Sequence, residues 1–222
     1  MTTLLQTIEK ETGPNPTVAV IWMHGLGADA NDFVPMIPEL DLAGLPPIRF
    51  IFPNADTMPV TVNGGYVMRS WYDIVATDLG RQEDEAGLRA SQAKVEALIA
   101  RENARGIPNQ RIILAGFSQG CAMTLQTGLR QTEPLAGLMC LSGYVPIAAK
   151  AATEHTPASK QTPIFQVHGR MDPVIPLARA TASRDLLVQW GYQVEWHDYP
   201  MQHSVCQEEV QDISAWLKRV LQ

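Results

Sequence analysis

Apolar residues in this chain fall into two kinds of grouping: short unbroken runs, and longer stretches where they recur every third or fourth position. The runs at 18–22, 48–52, 112–117, 138–141 and 164–168 are dense in branched and aromatic side chains, which predicts strands. Helical spacing appears between them, at 33–40, 119–130 and 177–190. A longer helix is predicted over 83–104, with Leu88, Val95, Leu98 and Ile99 on one face and a stop at Gly106 and Pro108. A strand at 193–199 precedes the last helix, 205–221. There Ile213, Trp216, Leu217, Val220 and Leu221 stand at i, i+3, i+4, i+7 and i+8.

Strands without a polar alternate are buried on both faces, and their alternation with helices is the signature of a parallel sheet covered on both sides. No repeat, low-complexity tract or linker interrupts this order, so residues 1–222 are expected to form a single α/β domain. One segment breaks the alternation. Residues 53–78 carry too much Pro, Gly and Asn for a helix, yet hold Met58, Val62, Tyr66, Met68, Trp71 and Tyr72. A long irregular segment with that many apolar side chains is expected to pack on the body and shape a surface. A short strand at 60–62 is expected within it. The apolar side chains of 58–72 fit a substrate groove, or alternatively a homodimer interface.

Composition narrows the class. Apolar residues make up 45% of the chain and charged residues 18%, enough for a sizeable core in a soluble protein. The net charge of −6 and the lack of a basic run argue against nucleic acid or an anionic membrane surface as partner. No apolar run reaches the length of a membrane-spanning helix, and the N-terminal stretch lacks the pattern of a secretory signal. The three cysteines, Cys121, Cys140 and Cys206, have no C-x-x-C spacing, so neither a disulfide framework nor a metal site is indicated. A cytoplasmic location with reduced thiols is expected.

Candidate chemistry centres on Gly116-Phe117-Ser118-Gln119-Gly120. A nucleophile elbow needs a strand, a strained turn with serine at its apex and a helix that starts at once. Residues 112–115 supply the strand, and Gly120, Cys121 and Ala122 are small enough for the helix to pack close. A serine hydroxyl also needs a base, and the base needs an orienting acid, in the chain order serine, acid, histidine. Of the five histidines, His24 precedes the serine and His155 lies in a polar loop. His168 and His197 belong to strands and read as structural residues. His203 sits in a loop between a strand's C-terminal end and the last helix, where ligands of open α/β sheets gather, and is the expected base. Asp172, in a proline turn after the 164–168 strand, is the expected acid. The turn His24-Gly25-Leu26-Gly27 follows an early strand, so the backbone N–H groups of Leu26 and Gln119 are the expected oxyanion donors.

Together, HGLG at 24–27, PVTVNGGYVMRSWYDI at 59–74, GFSQG at 116–120, HGRMDPVIP at 168–176 and HSVCQEE at 203–209 resemble the serine carboxylesterases related to acyl-protein thioesterases and lysophospholipases. These belong to the α/β-hydrolase superfamily, and the resemblance spans essentially the whole chain. It implies an α/β-hydrolase fold: a mostly parallel twisted sheet with helices on both faces and no separate cap domain. It implies a Ser118–Asp172–His203 triad hydrolysing esters or thioesters without cofactor or metal. It also implies that 59–74 flanks the acyl groove, with Met68 and Trp71 binding substrate. Family members often have glycine at Cys121 and proline at Asp56 and Arg69, which leaves the acyl preference open. The expected substrates are carboxylic esters of short to medium acyl chains, with a lysophospholipid or an acylated protein as alternatives. A non-catalytic binding protein on the same fold, or a peptidase or lactone hydrolase, are the competing readings.

Overall fold

The computed structural model describes residues 4–77 and 80–222; Asp78, which closes the irregular 53–78 segment, lies outside them. In chain order the strands before the first helix are β1 (Thr7–Glu11), β2 (Val18–Met23), β3 (Ile48–Pro53), β4 (Thr57–Val60), β5 (Tyr66–Arg69), β6 (Ile74–Thr77) and β7 (Gly80–Glu83). Then come α1 (Glu85–Ala104), β8 (Ile112–Phe117), α2 (Gln119–Gly128), β9 (Gly137–Leu141) and α3 (Ala148–Glu154). The chain ends with β10 (Ile164–Gly169), α4 (Leu177–Gln189), β11 (Val194–Tyr199) and α5 (Gln207–Val220).

Seven strands form the main sheet in the order β1-β3-β2-β8-β9-β10-β11. All neighbours pair in parallel except β1, which runs antiparallel to β3 at the edge. The two-residue period of a strand divides each apolar run between two cores. Along β2, Ala19, Ile21 and Met23 join the α1 and α2 side, whereas Val18, Val20 and Trp22 join the α5 side. Every residue of β2 is buried, as its unbroken apolar run requires.

The expected face of α1 is the one that packs: Leu88, Val95, Leu98 and Ile99 are buried. Each such side chain contributes about 1.5–3 kcal/mol. The helix starts at Glu85 and not at 83, because the Asp84 carboxylate caps it by accepting the Gly87 N–H at 3.0 Å. Near its other end the Glu102 side chain is fully buried, paired with Arg49, Arg101 and Arg105 at 2.9, 3.1 and 3.1 Å. Arg49 and Arg105 also reach Glu9 or Glu11 of β1, so the cluster fastens the edge strand to α1.

Several elements depart from the sequence pattern. Residues 34–39 form a 3-10 helix with Pro35 at its start and Pro38 inside it. The irregular segment folds as an antiparallel hairpin, β4 with β5, and a second pair, β6 with β7. Its expected strand at 60–62 ends instead at Val60, and Thr61–Asn63 make a 3-10 turn that Gly64 closes at φ +68°. Strand β1 and helix α3 carry no clear apolar pattern in the sequence.

Candidate active site

The strand order reverses at β2, whose neighbours are β3 on one side and β8 on the other. Loops leaving the carboxyl ends of β2, β8, β10 and β11 therefore converge above the sheet. Ser118, at the end of β8, adopts φ +56° and ψ −115°, which an L-residue holds only under strain, at a cost of about 1–3 kcal/mol. The flanking glycines permit it. A Cβ at Gly116 would meet the Gly120 carbonyl, and one at Gly120 would meet the carbonyls of Met23 and His24.

The structure brings Ser118, His203 and Asp172 together in one chain of hydrogen bonds. The Ser118 hydroxyl donates to His203 Nε2 at 2.8 Å, and His203 Nδ1–H donates to Asp172 Oδ2 at 2.6 Å. The other oxygen of Asp172 accepts the N–H groups of Val174 and Ile175 at 2.8 and 2.9 Å. Burial alone would raise the acid, but the Ile175 amide, the His203 ring and the Val174 amide outweigh it and hold the carboxyl below its usual value. His203 leans on the Phe117 ring, 4.7 Å between centroids. Gly169 lets its loop approach, since a Cβ there would strike the carbonyls of Met201 and Gln202.

His168 is fully buried beside this chain. Its Nε2–H donates to the Ile175 carbonyl at 2.8 Å, and it lies 3.4 Å from Asp172. Burial holds it below the usual imidazole value, so it stays neutral and braces the turn that presents Asp172. His197 points away and pairs with Glu195 on the sheet's outer strand.

On the opposite side of Ser118, no acceptor among the described residues takes the backbone N–H of Leu26 or of Gln119. Gln119 is the first residue of α2, where an unpaired N–H is intrinsic to the helix. The loop that carries Leu26 is pinned at both ends. His24 Nδ1–H donates to the Gly25 carbonyl at 2.6 Å while its Nε2 accepts the Ala55 N–H at 3.1 Å. Gly27 N–H donates to the Arg69 carbonyl at 2.9 Å.

A cavity of about 170 Å³ opens at Ser118. Leu26 and Gln119 border it, Val62 and Asn63 come from the hairpin, and Val174 and Ile175 come from the turn after Asp172. Tyr72, Ile74 and Tyr144 complete its wall. Met68 and Trp71, the expected substrate-binding residues, do not line this cavity. Trp71 is buried beneath the site, its indole N–H donating to the His24 carbonyl at 2.9 Å, so its ring supports the Leu26 loop instead of facing the groove. Met68 reaches from the hairpin to the Leu26 loop: its sulfur accepts from Asn63 at 3.4 Å and lies against Gly27. Arg69 is half-buried and donates to the Ala55 carbonyl, whereas Asp56 is exposed and pairs with Lys94. Cys121 is buried behind the elbow.

The side chain of Gln119 has a role the sequence did not suggest. Its carbonyl oxygen accepts the Trp71 N–H at 2.9 Å, and its amide donates to the Tyr72 carbonyl at 2.7 Å and to Ser70 Oγ at 3.0 Å. The residue after the nucleophile thus clamps the 70–72 segment onto the elbow. Tyr144 carries no motif of its own, and only its place just past the carboxyl end of β9 points to the site.

A mostly parallel seven-stranded sheet with a strained serine between β8 and α2 defines an α/β hydrolase. The crystal structure of SOBER1 from Arabidopsis thaliana superposes with a TM-score of 0.85 and 31% identity, over 92% of this chain and 99% of that one. The sequence pattern of the phospholipase/carboxylesterase family matches residues 5–221, and the chain belongs to that family. Among its relatives, acyl-protein thioesterase 1 of Mycosarcoma maydis is 40% identical over 96% of this chain and 95% of that protein. Acyl-protein thioesterase 1 of Neurospora crassa is 42% identical over 90% of this chain and 86% of that protein.

Proposed function

We propose that this hydrolase is a serine carboxylesterase that cleaves carboxylic esters of short to medium acyl chains through an acyl-enzyme. The observation that carries the reading is the unbroken chain Ser118–His203–Asp172 facing two backbone N–H groups that have no acceptor among the described residues. His203 Nε2 takes the Ser118 proton as the hydroxyl attacks the carbonyl carbon, and the N–H groups of Leu26 and Gln119 hold the resulting oxyanion. Asp172 keeps His203 in the tautomer with Nδ1 protonated and stabilises the imidazolium. His203 then protonates the departing alcohol or thiol. A water molecule, deprotonated by the same histidine, then attacks the acyl carbon, and His203 returns the proton to the Ser118 oxygen as its bond to the acid breaks. Every proton transfer in the scheme passes through His203, and the backbone amides only donate hydrogen bonds to the oxyanion.

A second reading, hydrolysis of thioesters on acylated proteins, rests on the names of the relatives above. The triad serves both leaving groups, and exposed Val62 and Val174 stand beside the cavity. Incubation with a fluorophosphonate followed by intact-mass measurement tests the shared chemistry. A single adduct is expected on the native chain and none on Ser118→Ala, whose kcat should fall by about 10³-fold or more. An adduct that persists in the variant would put the nucleophile elsewhere.

A further inference from the structure

The buried part of the cavity wall contains two tyrosines whose hydroxyls lie 3.2 Å apart. Tyr72 and Tyr144 are 1% and 4% exposed, and each hydroxyl is within hydrogen-bonding distance of the other. The Tyr144 ring is backed by Arg179, whose guanidinium carbon sits 3.5 Å from the ring centroid. Arg179 in turn pairs with Glu83, and the second oxygen of Glu83 accepts the Ile147 N–H at 3.2 Å. Tyr144 is therefore held from behind by a fixed cation and from the side by Tyr72.

The orientation of an ester over Ser118 says which of its two halves enters this cavity. Its carbonyl oxygen points at the N–H groups of Leu26 and Gln119, and its leaving group must lie beside His203, which protonates it. Leu26 and Gln119 border the cavity, while His203 does not. The acyl half is the half that fits.

We infer that the Tyr72–Tyr144 pair is the stop that limits acyl length, making these two residues specificity-determining for the esterase reaction proposed above, on which the inference rests. Leu26, Ile74 and Ile175 give the chain an apolar path, where each seated methylene should gain roughly fourfold in kcat/KM. The gain ends at the pair. A longer chain must part the two rings, which takes from the buried Tyr72 hydroxyl its hydrogen-bond partner. The cavity volume is about 170 Å³, and an apolar cavity of about 150 Å³ takes up a benzene ring, so the site seats on the order of half a dozen carbons.

Steady-state kinetics on p-nitrophenyl acetate, butyrate, hexanoate and decanoate test this. The native enzyme should peak at butyrate or hexanoate and fall by about tenfold or more at decanoate. Tyr144→Ala, which opens the stop, should raise the decanoate-to-butyrate ratio of kcat/KM by about tenfold. Tyr144→Phe and Tyr72→Phe keep the rings but break the hydroxyl pair, and should raise the same ratio by roughly threefold. These two carry the test if the alanine variant does not fold. Labelling of Ser118 by a small fluorophosphonate, run in parallel, separates the two ways to be wrong. A native enzyme that is labelled and active but prefers decanoate, or folded variants with an unchanged ratio, overturns the tyrosine stop alone. A native enzyme that is neither labelled nor active on any ester overturns the esterase reading and the stop with it.

Discussion

Asp172 divides its two oxygens between two tasks: one accepts a pair of backbone amides that shape its own turn, and the other accepts His203. An asparagine in its place can still accept the amides through its oxygen. Its NH₂ then faces His203 Nδ1, which must give up its proton and present the wrong tautomer to Ser118. Asp172→Asn should therefore lower kcat by about 10⁴-fold while leaving the fold intact, as circular dichroism and the KM of a short ester would show. The order Ser118, Asp172, His203 was legible because each follows a strand and carries the right chemistry. The clamp by the Gln119 side chain and the tyrosine pair at 72 and 144 were not. Both depend on contacts across about 50 to 70 positions, whose partners no local pattern announces.

Among the elements, the strand–turn–helix from β8 to α2 was the easiest to read, since an unbroken apolar run ends at two glycines spaced for an elbow. Those glycines are also where the element is most fragile. Gly120→Ala would push a methyl into the carbonyls of Met23 and His24, which are the end of β2 and the start of the Leu26 loop. The expected outcome is a loss of about 1–3 kcal/mol in unfolding free energy, together with a drop in kcat larger than that of any equally destabilised core variant. Chemical denaturation and kinetics on the same sample would check this, and a variant with normal kcat would break the link between the helix start and the site. Strand β1 was illegible for the opposite reason. Thr-Ile-Glu-Lys-Glu is half-exposed, and what holds it is pairing with β3 and the arginine cluster around Glu102, both distant in sequence. The hairpin of β4 and β5 was read as an irregular segment because Pro59 and Gly64 and Gly65 mask its alternation.

At the scale of the whole molecule, buried titratable groups set how stability varies with pH. Burial lowers His24 and His168 below the ordinary imidazole value. Their contribution is complete above about pH 6.5 and is lost as pH falls below it, because the unfolded chain takes up protons that the folded rings refuse. Glu209, in the first turn of α5, behaves in the opposite sense. It is fully buried, neither of its oxygens makes a well-formed hydrogen bond among the described residues, and burial pushes its acid up to about 8. Its contribution is complete below its unfolded value and fades as pH rises through about 8. Glu209→Gln should thus melt close to the native protein near pH 5 and above it at pH 9, by roughly 2–4 kcal/mol. Thermal melts across that range decide it: a gap that does not widen with pH would mean the carboxyl is not confined as described.

The clamp at residues 69–72 has a consequence for how such a molecule changes over time. The base of the β4–β5 hairpin is tied to the reacting elements through the Arg69 carbonyl, the Trp71 backbone and the Gln119 amide, whereas its tip at 61–66 points into solvent beside the cavity. Substitutions, and even insertions, at the tip can reshape the entrance without transmitting a displacement to Ser118. The root behaves as a fixed socket and the tip as an interchangeable tool. New substrate ranges are thus open to this scaffold by exchange of a few hairpin residues, with the chemistry underneath carried over unaltered.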